Sequence, residues 1–327
     1  MTGADPHEQA ELTERAPLLQ SIEIPDEDEL ARQMAAQLAD VLPAGSRVSA
    51  WRRGADYAAL RVETGAGERL VLRVPLREIA PSAYDGTVDF GAVLEREAAA
   101  HRVLAEAGVP MAPLRGWRRA DGAGRRSWML LGFVDNDGAA DLNDAQLERL
   151  GGVLRRIHEI DPPGSAQAAV GAECRPDQMI RRVETRVSAL ASRADVKDHR
   201  TLVEAATAVI AERAVSAPLR LLHMDLRQEN LCYRGDELAA VIDLSNCTMG
   251  DPAAELGRMQ AYGLLKPPLL AGYRGIDTPL PPDDVVAAYA ADTYALLGLL
   301  GTDEFADREL VERGTAGLNW CRKVLCR

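Results

Sequence analysis

The chain has 327 residues, of which 47% are hydrophobic and 27% are charged, which is typical of a globular protein with more than one cooperative unit. Its formal net charge of -12 argues against a nucleic-acid-binding protein, which would carry a basic surface. The N-terminus lacks the features of a signal peptide, and no apolar run reaches the roughly 18 residues of a membrane helix. The five cysteines lack metal-ligand spacing, so we expect a cytoplasmic protein with reduced thiols that binds neither membranes nor nucleic acid.

The first part of the chain is predicted to form a small antiparallel sheet. Residues 1–25 are polar and acidic and are predicted to form a loose arm, and the acidic cluster at 26–29 suits the first turn of a helix. The period then changes to that of short strands separated by glycine-containing turns, at 48–51, 58–62 and 70–74. A polar connection of undetermined structure follows at 79–87.

One helix and two further strands complete this part. The segment 93–108 is apolar at helical spacing and ends at a glycine followed by two prolines, and strands are predicted at 114–117 and 127–134. The remainder is predicted to be helical around a small β insertion, with helices at 142–160, 181–216, 253–265, 283–300 and 304–326. We therefore predict an α+β fold with a lobe over 26–134 and a larger helical lobe over 135–327.

Three polar residues with fixed spacing give the main functional signal. The segment from His223 to Asn230 has the form H-x-D-x-x-x-x-N, and Asp243 ends an apolar strand thirteen residues later. Phosphate transfer from ATP needs a carboxylate that accepts the proton of the attacking hydroxyl, together with amide and carboxylate oxygens that bind Mg2+. The pattern therefore predicts a kinase catalytic loop followed by a metal-binding aspartate.

This loop, together with Gly250-Asp251-Pro252 downstream, resembles the aminoglycoside phosphotransferase and choline kinase superfamily. The resemblance covers most of the chain and implies the protein-kinase-like two-lobed fold, with a small antiparallel-sheet N-lobe plus one helix and a larger helical C-lobe. It implies that Asp225 is the catalytic base and that Asn230 and Asp243 bind Mg2+. It further implies that His223 braces the loop and that Asp251 caps the next helix or orients the loop.

Two details distinguish the chain from protein kinases. Met224 occupies the place of the arginine that reads a phosphorylated activation loop. Only a few residues separate Asp243 from Gly250, which leaves no room for a long regulatory loop. Both points favour a small-molecule kinase.

The resemblance also places the nucleotide in the N-lobe. A kinase needs a cation on its third strand, and this chain offers Arg73, with Glu97 on the next helix as its partner. Arginine replaces the usual lysine here and can bind phosphate through two donors. The turn Gly54-Ala55-Asp56 would cradle phosphate, and the nucleobase would bond to the backbone of Gly132, Phe133 and Val134.

Three functions are consistent with these residues. The first is transfer of the γ-phosphate of ATP or GTP to a hydroxyl of a small molecule, such as an antibiotic or a metabolite. The second is a kinase of Ser or Thr in a biosynthetic precursor peptide, which an open groove would distinguish. The third is a non-catalytic pseudokinase, favoured by Arg73 and the glycine-poor loop and opposed by the intact catalytic set.

Several other polar residues are predicted to have structural roles. His158 lies on an apolar helix face and is predicted to be a core residue, whereas His101 is predicted to lie at the surface. Some acidic residues of the helical lobe would suit a pocket for a polycation, but solvated helix faces are the favoured interpretation: Asp177, Glu255, Asp283, Asp284 and Asp292.

Overall fold

The computed structural model describes residues 26–82, 86–122, 124–138, 141–162, 164–275 and 280–327. The predicted arm at 1–25 lies outside this range. The chain divides into two compact units. Among the described residues, one unit contains 26–105 and Pro110–Asp135, and the other contains Glu106–Val109 and those of Asn136–Arg327.

The first unit is built on an antiparallel sheet whose strands have the order β1-β2-β3-β7-β6. Their bounds are β1 Arg47–Arg53, β2 Tyr57–Glu63, β3 Arg69–Pro75, β6 Leu114–Arg118 and β7 Trp128–Gly132. Alternate apolar residues such as Leu60 and Leu72 form one core with Leu30 and Met34 of helix α1 (Glu27–Gln37). The side chain of Asp26 caps α1 by accepting the Glu29 N–H at 2.7 Å. The predicted helix and strands are therefore confirmed.

A hairpin and a helix connect β3 to β6. The segment predicted only as a polar connection forms β4 (Ile79–Ser82) and β5 (Gly86–Asp89), and α2 (Phe90–Glu106) follows directly. The prediction that His101 lies at the surface is wrong. Its ring is buried and bonds to the Ala112 carbonyl at 2.6 Å, because α2 turns this position toward the core. Burial lowers the pKa of His101, which favours the neutral ring.

The second unit contains eight α-helices within its described residues. They are α3 Asp144–Glu159, α4 Gly164–Val170, α5 Pro176–Ala191, α6 His199–Ser216, α7 Pro252–Ala261, α8 Pro267–Tyr273, α9 Asp283–Asp303 and α10 Arg308–Leu325. The long helix α9 is central and contacts α5, α6, α7 and α10. By length and composition α9 would pass for a membrane span, but 78% of its apolar window is buried, as in a core helix.

The prediction of one long helix over 181–216 is wrong. The chain forms α5 and α6 there, and it reverses direction over the polar stretch between them, where Asp198 adopts a left-handed conformation with φ 48°. Helix α8 was also missed, because two prolines precede its apolar residues. Pro267 and Pro268 occupy its first turn, where the missing N–H groups carry no penalty.

Four short strands position the polar loops of this unit. Strands β9 (Leu231–Arg234) and β10 (Glu237–Val241) form a hairpin, and β8 (Arg220–Leu222) pairs with β11 (Thr248–Gly250). The catalytic-loop motif begins directly after β8, Asp243 follows β10, and Asp251 follows β11. The strand pairing therefore brings together three segments that are separate in the sequence.

Candidate active site

The loop that contains Asp225 is held in an unusual backbone conformation. Met224 has φ 62°, a value that costs a non-glycine residue about 1–3 kcal/mol unless its surroundings enforce it. The carboxylate of Glu255 enforces it here, because it accepts the N–H groups of His223 at 3.0 Å and Met224 at 2.7 Å. The loop conformation therefore depends on a residue of α7.

His223 connects the loop to the end of β10. Its Nδ1 accepts the N–H of Asp225 at 3.2 Å, which leaves the proton on Nε2. Nε2 can then donate to the Ile242 carbonyl at 3.2 Å. The predicted bracing role of His223 thus has a direct structural basis.

Asp225 is buried, with a residue exposure of 6%, and its carboxylate is held at both oxygens. Asn230 Nδ2 donates to the backbone carbonyl and to Oδ2 of Asp225, both at 2.9 Å. The Tyr262 hydroxyl donates to Oδ1 at 2.7 Å, and Arg227 Nε lies 3.3 Å from Oδ2. An ionised carboxylate has about four acceptor sites, so these contacts leave capacity for the hydroxyl of a substrate.

Asn230 and Asp243 provide oxygen atoms of the kind that Mg2+ prefers. The Asn230 amide nitrogen is committed to Asp225, which leaves its carbonyl oxygen as the atom for a cation. Ile242 donates its N–H to the Asn230 backbone carbonyl at 3.0 Å. Asp243 is the next residue, so this backbone bond holds it near the catalytic loop. Asp243 has φ 62°, and Ser245 Oγ donates to its Oδ1 at 2.8 Å.

The donor set fits magnesium better than a tightly held transition metal. Within the described residues, no group of three or more His, Cys, Asp or Glu side chains forms a metal cluster. Mg2+ is usually bound by one or two protein carboxylates and completes its shell with water and substrate phosphates. One carboxylate and one amide oxygen are consistent with this mode.

Glu255 is a buried structural carboxylate. The prediction that it lies on a solvated face, or in a pocket for a polycation, is wrong, because its exposure is 1% and His158 Nε2 lies 2.9 Å from its Oε2. Burial alone would raise the pKa of Glu255, but the hydrogen bonds from His158 and the loop outweigh it and lower the pKa. His158 also contacts the Tyr273 hydroxyl at 2.8 Å, so its predicted core role is confirmed.

Asp251 and Asp292 are also buried and paired. Asp251 caps α7 through the Ala253 N–H and accepts two hydrogen bonds from Arg213, each at 2.9 Å. Asp292 accepts hydrogen bonds from Arg182 at 2.8 Å and Arg186 at 3.0 Å, which overturns its prediction as a solvated or pocket residue. The remaining members of the predicted acidic group are exposed: Asp177, Asp283 and Asp284.

In the sheet unit, Arg73 and Glu97 meet as the sequence predicts. Arg73 Nη1 lies 2.5 Å from Glu97 Oε1, with side-chain exposures of 12% and 3%. The guanidinium also lies over the ring of Tyr57, 4.4 Å from its centroid. The pair is therefore oriented by β3, α2 and an aromatic residue of β2.

In the segments predicted to bind phosphate (54–56) and the nucleobase (132–134), several backbone N–H groups already donate to carbonyls of the protein and are not available to a nucleotide. Gly54 lies in the exposed β1–β2 turn, but its N–H donates to the Tyr57 carbonyl at 2.8 Å. The N–H groups of Gly132 and Phe133 donate to the carbonyls of Pro113 and Arg69. Val134 is the member of that segment without such a bond in the described structure.

Sequence reasoning missed Tyr262 and Arg258 as parts of this site. Arg258 is buried on α7, its Nε donates to the Tyr262 hydroxyl at 2.9 Å, and its Nη2 lies 3.9 Å from Asp225 Oδ1. Their spacing of four residues, downstream of the G-D-P segment, was the available signal, since residues four apart share a helix face.

Comparison with known proteins identifies the family of this chain. The family model described as the phosphotransferase enzyme family, APH, matches residues 47–278. The chain belongs to this family. Its members' fold is the α+β, protein-kinase-like fold predicted from the sequence, and the chain is thus a phosphotransferase. A search of curated proteins gave no match.

Solved structures of phosphotransferases share the fold. A macrolide 2'-phosphotransferase from Brachybacterium faecium is 22% identical, with 90% of this chain and 98% of that chain covered and a TM-score of 0.56. The GDP complex of aminoglycoside 2'-phosphotransferase-IIIa is 16% identical, with 91% and 99% covered and a TM-score of 0.62. A spectinomycin phosphotransferase bound to ADP and spectinomycin is 14% identical, with 89% and 94% covered and a TM-score of 0.57.

Proposed function

We propose that this phosphotransferase moves the γ-phosphate of ATP or GTP to a hydroxyl group of a small molecule. The observation that carries the proposal is the double hydrogen bond of Asn230 Nδ2 to the Asp225 backbone and carboxylate. This contact fixes the base and leaves the Asn230 carbonyl oxygen for a cation. Family membership and the nucleotide complexes of the compared structures support the same reaction.

Asp225 acts on the acceptor. Its carboxylate accepts the hydrogen bond of the attacking hydroxyl, orients the oxygen toward the phosphate and receives the proton as the new bond forms. Asn230 and Asp243 would hold Mg2+, which would supply positive charge to neutralise the phosphates of the nucleotide. Because Asp225 is buried, the local dielectric is low, and the electrostatic interaction of its carboxylate with the acceptor hydroxyl is stronger than it would be in water.

The metal role of Asp243 gives the first test, and it needs no acceptor. We expect Asp243→Asn to raise the Mg2+ concentration needed for ATP or GTP binding by at least about 10-fold. Loss of a residue that only hydrogen-bonds to a metal ligand already lowers metal affinity by about this factor, and loss of a ligand itself should cost no less. Calorimetric titration of nucleotide at a series of Mg2+ concentrations measures the effect. The exposed Asp283→Asn is the matched control. Equal Mg2+ dependence in wild type and Asp243→Asn would contradict the assignment.

The phosphate role of Arg73 gives a second test. We expect Arg73→Met to raise the KM for nucleotide about 10- to 100-fold, because a hydrogen bond to a charged group contributes about 1.5–3 kcal/mol. Arg73→Lys keeps the charge but loses the paired donors, so a smaller increase is expected. Arg61→Met, an exposed arginine on the neighbouring strand, is the control. An unchanged KM in Arg73→Met would remove Arg73 from the nucleotide site.

The acceptor is a small hydroxyl compound, and the compared proteins suggest antibiotics as the first class to test. Their names specify macrolides, spectinomycin and aminoglycosides. The acceptor panel should therefore contain these three classes, amino alcohols and sugars, together with Ser and Thr peptides. Each is incubated with ATP or GTP labelled at the γ-phosphate. Transfer to a peptide alone would replace the small-molecule proposal with a peptide kinase.

A further inference from the structure

The surroundings of Asp225 include two residues that no part of the kinase motif contains. Tyr262 is the C-terminal cap of α7, and its hydroxyl makes the shortest hydrogen bond to the Asp225 carboxylate, at 2.7 Å to Oδ1. The same hydroxyl accepts a hydrogen bond from Arg258 Nε at 2.9 Å. Its proton is thereby directed to Asp225, because the hydroxyl's acceptor site is used by the guanidinium.

Arg258 is itself fixed by burial and charge. Its exposure is 9%, and its Nη2 lies 3.9 Å from Asp225 Oδ1. The buried Asp292 of α9 is paired with Arg182 and Arg186, whereas the hydrogen bond of Arg258 goes to Tyr262. Arg258 is therefore placed to serve Tyr262 and Asp225. The order Arg258, Tyr262, Asp225 forms a directed hydrogen-bond chain that ends on the base.

Resting on the proposed function, we propose that Tyr262 is a positioning residue for phosphate transfer. Arg258 orients the Tyr262 hydroxyl, and this hydroxyl sets the plane of the Asp225 carboxylate. Tyr262 holds Oδ1 while Asn230 holds Oδ2, so the carboxylate is fixed at both ends. Rotation of the carboxylate would displace the acceptor hydroxyl from the line of attack. A misplacement of about 1 Å at a reacting centre costs about 100-fold in rate.

The test uses Tyr262→Phe, which removes one hydroxyl and keeps the ring. We expect kcat to fall about 10- to 100-fold with the KM for nucleotide unchanged, and the thermal unfolding midpoint to fall only modestly, because the buried Arg258 Nε loses its acceptor. Tyr294→Phe is the control, because it is the same change on α9, where the hydroxyl makes a longer bond of 3.4 Å to the Gln260 carbonyl. The acceptor is whichever compound of the panel the wild type phosphorylates fastest.

A double-mutant cycle separates positioning from general damage. If Tyr262 acts through the base, Tyr262→Phe causes no further loss of kcat in an Asp225→Asn background. A loss that adds to that of Asp225→Asn, or a kcat equal to that of the wild type, overturns the inference and leaves the proposed function intact. A wild type that transfers phosphate to no acceptor overturns the proposed function, and the inference with it.

Discussion

Replacement of Asp225 by asparagine is expected to lower kcat for phosphate transfer by about 10²- to 10⁴-fold, the usual contribution of a general base. Asparagine keeps the size of the side chain and one acceptor oxygen, but it cannot take the proton of the acceptor hydroxyl. Nucleotide binding should persist, because Asn230, Asp243 and Arg73 are unchanged. Steady-state kinetics with the best acceptor of the panel, beside calorimetric titration of nucleotide, measures both quantities.

A second aspartate provides the control for this change. Asp251 is equally buried and close in sequence to the site, but it caps α7 and pairs with Arg213. Asp251→Asn is therefore expected to lower the free energy of unfolding, while the folded fraction keeps most of its kcat. Retention of wild-type kcat in Asp225→Asn would show that Asp225 is not the base.

Replacement of Glu255 is expected to have the largest effect on stability. Removal of an acceptor from buried donors costs about 1–3 kcal/mol for each donor left unpaired, because these polar groups lose their partner without regaining water. Glu255→Gln places an amide NH2 against groups that are themselves donors, including the N–H of Met224. We expect the free energy of unfolding to fall by at least about 1–3 kcal/mol, with a parallel loss of kcat as the loop relaxes. Chemical denaturation measures it.

The pH dependence of this effect follows from the lowered pKa of Glu255. A carboxyl whose pKa is lower in the folded state contributes stability above its unfolded value of 4.5, and this contribution is lost as the pH falls through the folded-state pKa. The difference in stability between wild type and Glu255→Gln should therefore be complete at neutral pH and shrink in acid. The exposed Glu184→Gln is the control and should match the wild type throughout. A difference that grows in acid would contradict the assignment.

The elements that the sequence predicts well are those set by local patterns. The meander of β1 to β3 follows from alternation and glycine turns, and the catalytic loop follows from fixed spacing between Asp225, Asn230 and Asp243. The Arg73–Glu97 pair was predictable because a strand and the next helix carry it. In each case the partners are close in the sequence or belong to one recurring motif.

The elements that were missed depend on contacts between distant segments. Glu255 receives N–H groups from residues 31 and 32 positions away, and Asp292 pairs with arginines 106 and 110 positions away. No periodicity reports such contacts, so both carboxylates looked like ordinary helix residues. The division of 181–216 into two helices was missed for a related reason, because polar residues at 192–198 are compatible with an exposed helix face as well as with a turn.

Transfer of a labelled γ-phosphate from ATP or GTP to the acceptor panel tests the central claim most directly. The wild type is expected to phosphorylate a hydroxyl of at least one small molecule in the presence of Mg2+ and to release the nucleoside diphosphate, with the product nearly absent in Asp225→Asn. A wild type that binds neither ATP nor GTP in the presence of Mg2+, and labels no acceptor, would contradict the claim and favour a non-catalytic binding module.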